Sequence, residues 1–559
     1  MKIRLLKPRL PGKPVSGEYF EVDMPTGSTF EDVYRMYEEE YPYTVLAVKV
    51  NNKLEPLIHQ IEEDCTVEFL DMRSQAANLI YQHSLSLIYL KAVEEVLGRA
   101  ITDIENSLNK GLYTEIKCEK PITQKQIRAI QDRMDEIVAE DIPFVERIVS
   151  REEAFRLLEE ADLDEKKKML ESLPHLDRVK FYSLEEFRNF FYGFMVPSTR
   201  YVKHFELKKY RRGVLLRFPH TSDPNRIPTY VDEKQMYSAF SEAKRWRKLL
   251  DIFYVTDLNN KIHSHEMREI IQLSEALHEK KIVEIAADIQ KYNKRIILIA
   301  GPSSSGKTTF ARRLCIQLRV NGQNPLYLGT DDYFVDREFT PLDEFGEKDY
   351  ENLCALDIDL FNNDMNNLLA GNSVDLPQYD FLDGVKKFGH RITAIGPDQP
   401  IVIEGIHALN GTLTSHIPDE EKYKIYISPL TQLSIDNHNR IPTTDARMLR
   451  RMVRDNKYRG HSAQSTIASW PKVRAGEDIN IFPYSGEADV FFNSAHIYEL
   501  AILKRYVTPL LESIKRDEPE YGEALRLLKF LEFFEPFEED EIIANNSIIR
   551  EFIGGSVFV

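Results

Sequence analysis

Apolar residues follow three successive patterns along the chain. Up to about residue 71 they come in short alternating runs. Segments 2–6, 45–50 and 65–70 read as strands, 29–40 as a helix, and Asn51-Asn52 as a turn, which together predict a small α+β unit. From 76 to 96 the apolar spacing is helical, and the region to about 250 mixes helices with strand-like runs such as 213–218. Between 264 and 292, Met267, Ile270, Ile271, Ile282, Ile285 and Ile289 fall on related faces of one long amphipathic helix, a connector that packs against one or both halves. Beyond it the continuous apolar runs 296–300, 326–328, 401–403, 425–427 and 490–492 alternate with helical stretches. Runs of that kind are buried parallel strands, so the C-terminal half is predicted to be an α/β sheet domain flanked by helices. The expected divisions are 1–72, 73–250, a helical connector 251–290, and 291–559.

The first buried run, Ile296-Ile297-Leu298-Ile299-Ala300, enters Gly301-Pro302-Ser303-Ser304-Ser305-Gly306-Lys307-Thr308. This is the full G-x-x-x-x-G-K-[ST] phosphate-binding pattern, with a strand before it and a helical pattern after it. Small residues let backbone N–H groups turn toward a phosphate, and the start of the following helix adds partial positive charge. Gly301, Ser303, Ser304, Ser305, Gly306, Lys307, Thr308 and Thr309 are the expected ATP-binding residues. Lys307 would place its ammonium on the β- and γ-phosphates, and Thr308 would hold magnesium.

Composition narrows the setting. With 42% hydrophobic and 29% charged residues the chain is ordinary for a folded cytoplasmic protein. No apolar stretch is long enough for a membrane span, and charge and Pro8 interrupt the N-terminus too early for a signal peptide. The scattered Cys65, Cys118, Cys315 and Cys354 form no C-x-x-C pair and fit a reducing compartment. A net charge of −17 gives no support to nucleic-acid binding through the bulk field, so an anionic substrate needs basic residues concentrated at its site.

Ligands of open parallel sheets bind beyond the carboxyl ends of the strands. Two acidic positions fall there: Asp331, in Thr330-Asp331-Asp332-Tyr333, and Glu404, in Ile403-Glu404-Gly405. Phosphoryl transfer to an alcohol asks for a carboxylate to orient and deprotonate the hydroxyl and for another near the metal. Asp331 is assigned the first role and Glu404 the second. Arg447, Arg451 and Arg454 follow helical spacing, with Arg450 beside them and Arg459-Gly460 beyond. Arg454 and Arg459 are expected to close over the phosphates.

These motifs, spread over about 294–507, resemble the uridine kinase and phosphoribulokinase family. Asp331-Asp332-Tyr333-Phe334 is similar to its D-x-F/Y-Y element, and Pro377-Gln378-Tyr379-Asp380-Phe381 to its P-x-Y-D-F segment. Ile403-Glu404-Gly405-Ile406 is similar to its metal-side strand end. Arg450-Arg451-Met452-Val453-Arg454-Asp455, with Arg459-Gly460, resembles its arginine lid. The resemblance implies transfer of the γ-phosphate of ATP, with magnesium, to the 5′-hydroxyl of a nucleoside or similar ribose-like alcohol. Asp331, Lys307, Arg454 and Arg459 would be catalytic. Asp331, Tyr333, Tyr379 and Phe381 would bind the acceptor, and Thr308 and Glu404 the metal. Family members are often oligomeric, which leaves room for a homo-oligomer. The pattern departs from the family at Gly384, where a base-reading His is usual, around Glu351, where the ribose-binding acid falls, and at His461 in place of an Arg. These departures bear on which base is preferred, not on the reaction.

Residues 1 to about 71 resemble the ubiquitin-like TGS domain of threonyl-tRNA synthetase. Ile80-Tyr81-Gln82-His83-Ser84, Ile142-Pro143-Phe144, 149–154, and Val196-Pro197-Ser198-Thr199-Arg200 with His204-Phe205 are similar to that enzyme's editing-type second domain. The ligand cluster of such a domain is altered here: Leu87, Phe191 and Met195 stand at polar positions, which leaves His83 as a structural histidine. A second reading follows from this half, a binding protein that takes a tRNA-like or nucleotide ligand and uses the phosphate loop as an ATP switch. The acceptor base Asp331 favours the enzyme, because a switch needs none.

Overall fold

A computed structural model of the chain describes residues 1–11, 17–343 and 346–559. Its first unit is a five-stranded sheet in the order Tyr19–Asp23, Lys2–Leu6, Cys65–Asp71, Val45–Val50, Lys53–Glu55. Lys2–Leu6 runs parallel to Cys65–Asp71, and its other neighbour is antiparallel. Asn51 and Asn52 hold φ of 45° and 65° in the tight turn between Val45–Val50 and Lys53–Glu55, a left-handed conformation that Asn tolerates. The helix expected over 29–40 is α-helical only from Phe30 to Tyr37. It begins with a Thr29/Asp32 capping box and tightens to a 3-10 turn where Glu38-Glu39-Glu40 set three carboxylates against the negative helix end.

The second unit has an antiparallel sheet in the order Glu206–Tyr210, Gly213–Arg217, Gly111–Lys117, Ile101–Leu108. The helices Gln75–Leu97 and Gln124–Ala139 pack with it. A separate three-stranded sheet, Phe187–Phe190, Arg178–Leu184, Val145–Ser150, carries the helices Arg151–Glu160 and Asp164–Ser172. The helix Lys234–Leu250, at the end of the expected second domain, is shared between units: Ala239 packs in the core of the C-terminal sheet, and Phe240 touches both that core and the Leu108/Tyr113 cluster.

The span 251–290 holds two helices, Val255–His263 and the long amphipathic one, Met267–Lys291. The first turns of the long helix join a core containing Leu157, Met169 and Leu449, while Ile282, Ile285 and Ile289 lie under the C-terminal sheet. That sheet is wholly parallel, in the order Leu326–Gly329, Ile401–Glu404, Ile296–Ala300, Lys422–Ser428, Val490–Asn493. Alternate residues of its central strand face opposite layers. Ile297 and Ile299 meet Phe310 and Leu314, whereas Ile296 and Leu298 meet Phe361 and Leu413. Both faces are therefore dry, which is why the strand is an unbroken apolar run. The register aligns Ile299 and Gly329 with Glu404, so the phosphate loop, the Asp331 turn and Glu404 emerge at one sheet edge.

Candidate active site

The loop 301–306 closes over the carboxyl end of the central strand, and the helix Lys307–Val320 starts from it. A Cβ at Gly301 would overlap the Ile427 carbonyl, so close approach to the neighbouring strand demands glycine there. Gly306 combines φ +82° with Ile548 Cγ2 only 2.5 Å from where a Cβ would be. Ser304 holds a left-handed φ of 60°. The Ser304 and Ser305 hydroxyls are buried without a protein partner. Buried polar groups are rarely left so, and an anion seated in the loop would satisfy them. Lys307 Nζ donates to the Gly301 and Pro302 carbonyls at 3.0 and 3.3 Å, holding its ammonium across the loop.

Thr308 Oγ1 donates to Glu404 Oε1 at 2.8 Å, and the Tyr327 hydroxyl donates to the same oxygen at 3.1 Å. Two hard oxygen donors side by side at the helix start match a magnesium ion that keeps most of its shell for water and phosphate. Asp331 lies on the 3-10 turn Thr330–Tyr333. Gly405 permits this turn, since a Cβ there would overlap Thr330 Oγ1. Enclosure by the cleft walls, then the Glu404 carboxylate, raises Asp331 to about 6, with Lys307 opposing. Its surface is nevertheless open to solvent. The enclosure is thus that of an open cleft, and the charges of Glu404 and Lys307 are what tie Asp331 to the loop.

Residues 447–459 lie on the helix Thr443–Arg459. Buried Asp455 pairs with Arg451 at 3.2 Å, Arg454 at 2.8 Å and Arg459 at 3.4 Å. One carboxylate therefore orients all three guanidinium groups. Arg459 is close enough to Asp331 for their charges to interact. Buried Arg450 crosses to Glu499 at 2.6 Å and to the Ser494 carbonyl at 2.8 Å, which makes it a strut of the helix.

Three expected ligands have other partners. Every polar group of Ser303 is engaged by protein: its N–H donates to Glu477 at 3.1 Å, its carbonyl accepts from Arg447 at 3.1 Å, and its hydroxyl accepts from Arg451 at 3.0 Å. Glu477 also pairs with Arg447 and, at 2.8 Å, with Arg474. Thr309 is buried, one helical step past the loop, and its hydroxyl donates to Glu551 at 2.7 Å. Tyr333 turns beneath the sheet edge, where its hydroxyl donates to Asp364 at 3.0 Å and its ring packs edge-on against Phe361. It is a core residue because the turn that exposes Asp331 points the side chain two positions later inward.

Phe334, next in sequence, occupies the acceptor side instead. It meets Tyr350, Tyr379 and Phe381 edge-on, with centroids 5.5, 5.6 and 6.4 Å away, and Tyr379 meets Phe381 at 5.1 Å. Tyr379 is buried, while Phe381 is 59% exposed at the tip of a hairpin between Gln378–Asp380 and Val385–Lys387. Asp380 fixes that tip by accepting from the Leu382 and Asp383 amides and from Lys387. At Gly384, the position of the family's base-reading His, the Arg337 side chain packs over a φ of +74°.

Sequence reasoning missed Glu477, Glu551 and His407, and gave Phe334 and Glu351 only a place in the pattern. Glu351 is half-buried and raised by burial and by Glu477, with Lys307 and Arg451 opposing. His407, three residues after Glu404, is buried, and neither ring nitrogen makes a well-formed hydrogen bond, although the Glu351 backbone acts on it. Burial lowers it to about 4, so it is neutral. Its place just beyond the Glu404 strand end was the one available signal.

In the N-terminal half, burial lowers His83 to about 4, and its ring packs against Phe191 and Tyr192 at 5.8 and 5.5 Å. Leu87, Phe191 and Met195 are buried apolar residues.

Topology, loop and strand-end carboxylates together define a P-loop domain. Its sequence specifies the class further: residues 296–501 match the model of the Phosphoribulokinase / Uridine kinase family, so the C-terminal part of the chain carries a P-loop kinase domain of that family. The N-terminal part is similar to threonine–tRNA ligases. One from Marinobacter nauticus is 33% identical over 164 residues, which are 29% of this chain and 26% of that ligase. One from Desulforamulus reducens is 28% identical over 243 residues, 41% of this chain and 38% of that ligase. The chain thus spans well under half the length of the ligases it matches. Among solved structures, one described as a possible uridine kinase from Bacillus stearothermophilus is 19% identical, with a TM-score of 0.23, covering 36% of this chain and 88% of that one. A D-glycerate 3-kinase from Cryptococcus neoformans is 12% identical, with a TM-score of 0.20, covering 47% and 89%. Scores this low leave the fold assignment to the chain's own topology. Among the described residues no helix is long and apolar enough to cross a membrane.

Proposed function

We propose that the chain is an ATP- and magnesium-dependent kinase that phosphorylates the 5′-hydroxyl of a nucleoside of the uridine or cytidine type. The observation that carries the choice of acceptor is the charge balance on its side of the cleft. Arg391 is paired with Asp332 at 2.6 Å, Lys386 with Asp357, and Lys387 with Asp380 and Asp383. The Arg337 guanidinium donates to the Phe381 and Leu382 carbonyls. These four cations are committed, whereas Asp331 and Glu351, whose charges interact, are carried by the same segments as Phe334 and Tyr350 of the aromatic group Phe334, Tyr350, Tyr379 and Phe381. Such a surface repels a phosphate-bearing acceptor and suits a neutral polyol joined to a flat ring.

In this reading the loop amides and Lys307 hold the triphosphate. Asp331 takes the proton of the attacking hydroxyl. Arg454 and Arg459 stabilise the charge spread over the transferring group. Magnesium, held by Thr308 and Glu404, would neutralise phosphate charge. The test is ADP release from ATP with a panel of nucleosides, free ribose derivatives and phosphosugars. Nucleosides should stimulate release and phosphosugars should not. Stimulation by phosphosugars alone, or by nothing in the panel, overturns the assignment.

A further inference from the structure

Strand Lys422–Ser428 does not lead directly into the arginine helix. Of residues 432–440 between them, Gln432 still donates to the Ala495 carbonyl and Ser434 accepts the Val255 amide, but Asp436 to Arg440 each bond into the N-terminal half. The Ile104 amide donates to the Asn437 carbonyl at 2.8 Å. The His438 ring is bonded to Asn189 at 3.2 Å, and Asn439 Nδ2 donates to the Phe190 carbonyl at 3.2 Å. At the centre, the Lys166 and Asp436 side chains, both 0% exposed, meet at 3.0 Å. Lys166 also donates to the Phe190 carbonyl at 3.0 Å, and Asp436 accepts the His438 and Asn439 amides at 2.7 and 2.9 Å. The segment leaves through Arg440, which donates to Gln82 at 3.3 Å. The helix that begins directly afterwards has Asp445 in its first turn, gripped by Arg526 at 2.8 and 2.9 Å. Its remaining length delivers Arg447 and Arg451 to Ser303 and brings Arg459 within charge range of Asp331.

A fully buried ion pair is a poor source of stability, since apolar replacements of equal size are often neutral or better. What it does supply is register. A shifted loop leaves two charges unpaired in a dry interior, so only one placement of 432–440 is tolerated. That placement fixes where a rigid helix roughly 25 Å long begins, and hence where its arginines arrive.

We propose that Lys166 and Asp436 are a positioning pair for phosphoryl transfer, through which the synthetase-like half sets the arginine helix over the phosphate loop. The proposal rests on the kinase reading for its turnover measurement alone. The test uses the full-length chain and the variants Lys166→Met, Asp436→Asn and the double variant, with ATP turnover and amide hydrogen exchange measured on each. In either single variant turnover should fall roughly 10²-fold, as expected when catalytic groups are displaced by about an ångström. Exchange should quicken across 443–459 while strand 296–300 stays protected. The double variant, with no buried charge unpaired, should recover much of both. If Lys166→Met does not fold, Asp436→Asn carries the test, because Asn still accepts the His438 and Asn439 amides. Turnover that stays normal in a folded single variant overturns the proposal. So does loss of turnover with 443–459 unchanged, loss of protection throughout the chain in Asp436→Asn, or a double variant as slow as the singles. Failure of the kinase reading would appear in the wild type as no turnover, leaving the exchange measurement to decide this proposal separately.

Discussion

Asp331 illustrates how a functional group opposes the fold that holds it. Its folded value of about 6 lies above the ordinary 3.8. Between those values the folded protein keeps a proton that the unfolded chain has released. This carboxyl therefore favours folding most at low pH, and that contribution is lost as pH rises through about 6. Asp331→Asn should accordingly melt above the wild type at about pH 7.5, with the gap closing toward about pH 4. The same substitution should cut transfer by about 10²–10⁴-fold and leave ATP affinity nearly unchanged. Wild-type kcat/KM for the acceptor should rise with pH through about 6, and a flat profile there would remove Asp331 as the base. Glu477→Gln keeps an acceptor for the Ser303 amide but leaves Arg447 and Arg474 without their shared charge. It should raise the KM for ATP about tenfold or more with the acceptor KM unmoved, as measured by initial rates. The phosphate loop, Asp331 and Glu404 were legible because a strand end and a glycine pattern mark them. The protein partners of Ser303 and Tyr333 were not legible because local spacing cannot tell which way a turn aims a side chain, and Glu477 was missed because it arrives from a helix far along the chain.

The element scale shows where periodicity works and where it stops. Four of the five parallel strands were read to within a residue, as was the helix Gln75–Leu97, since one covered face or two leave different spacings, while Lys422–Ser428 was read only at 425–427. The helix Ala463–Asn480 was not, and Pro471 inside it reads as an interruption. The short helix Arg550–Ile553 gave no periodic signal, yet it braces the site. Glu551 accepts the Thr309 hydroxyl, Ile548 covers Gly306, Phe552 lies under Arg450 at 4.9 Å, and Lys457 donates to the Ile553 carbonyl at 2.7 Å. Glu551→Ala strands a buried hydroxyl at the start of the loop helix. It should cost about 1–3 kcal/mol in denaturant unfolding, with Glu551→Gln much milder.

At the scale of the molecule the two halves share one core, with Val149 and Leu157 in the same cluster as Leu449 and Tyr498. The docking segment was invisible in sequence, since Ser434, Asp436, Asn437, His438 and Asn439 have the composition of a surface loop. Burial depresses His83 and His407 to about 4 and His438 to about 3, and takes His278 and His496 well below 6.5. Because the unfolded chain takes up these protons first, stability is full above about 6.5 and declines as pH falls toward 4. The midpoint of urea unfolding should drop steeply across that interval, more than Asp331 alone could offset, and a constant midpoint would contradict the buried, neutral rings.

The brace on the phosphate loop has a consequence for biosynthesis. The oxygen that receives the Thr309 hydroxyl belongs to a residue 242 positions later. While the chain is still on the ribosome, its loop helix has been made but lacks the carboxylate that steadies its first turn. The first turn of that helix therefore stays unbraced until residue 551 has been made, an interval in which the synthetase-like half can fold and receive segment 432–440.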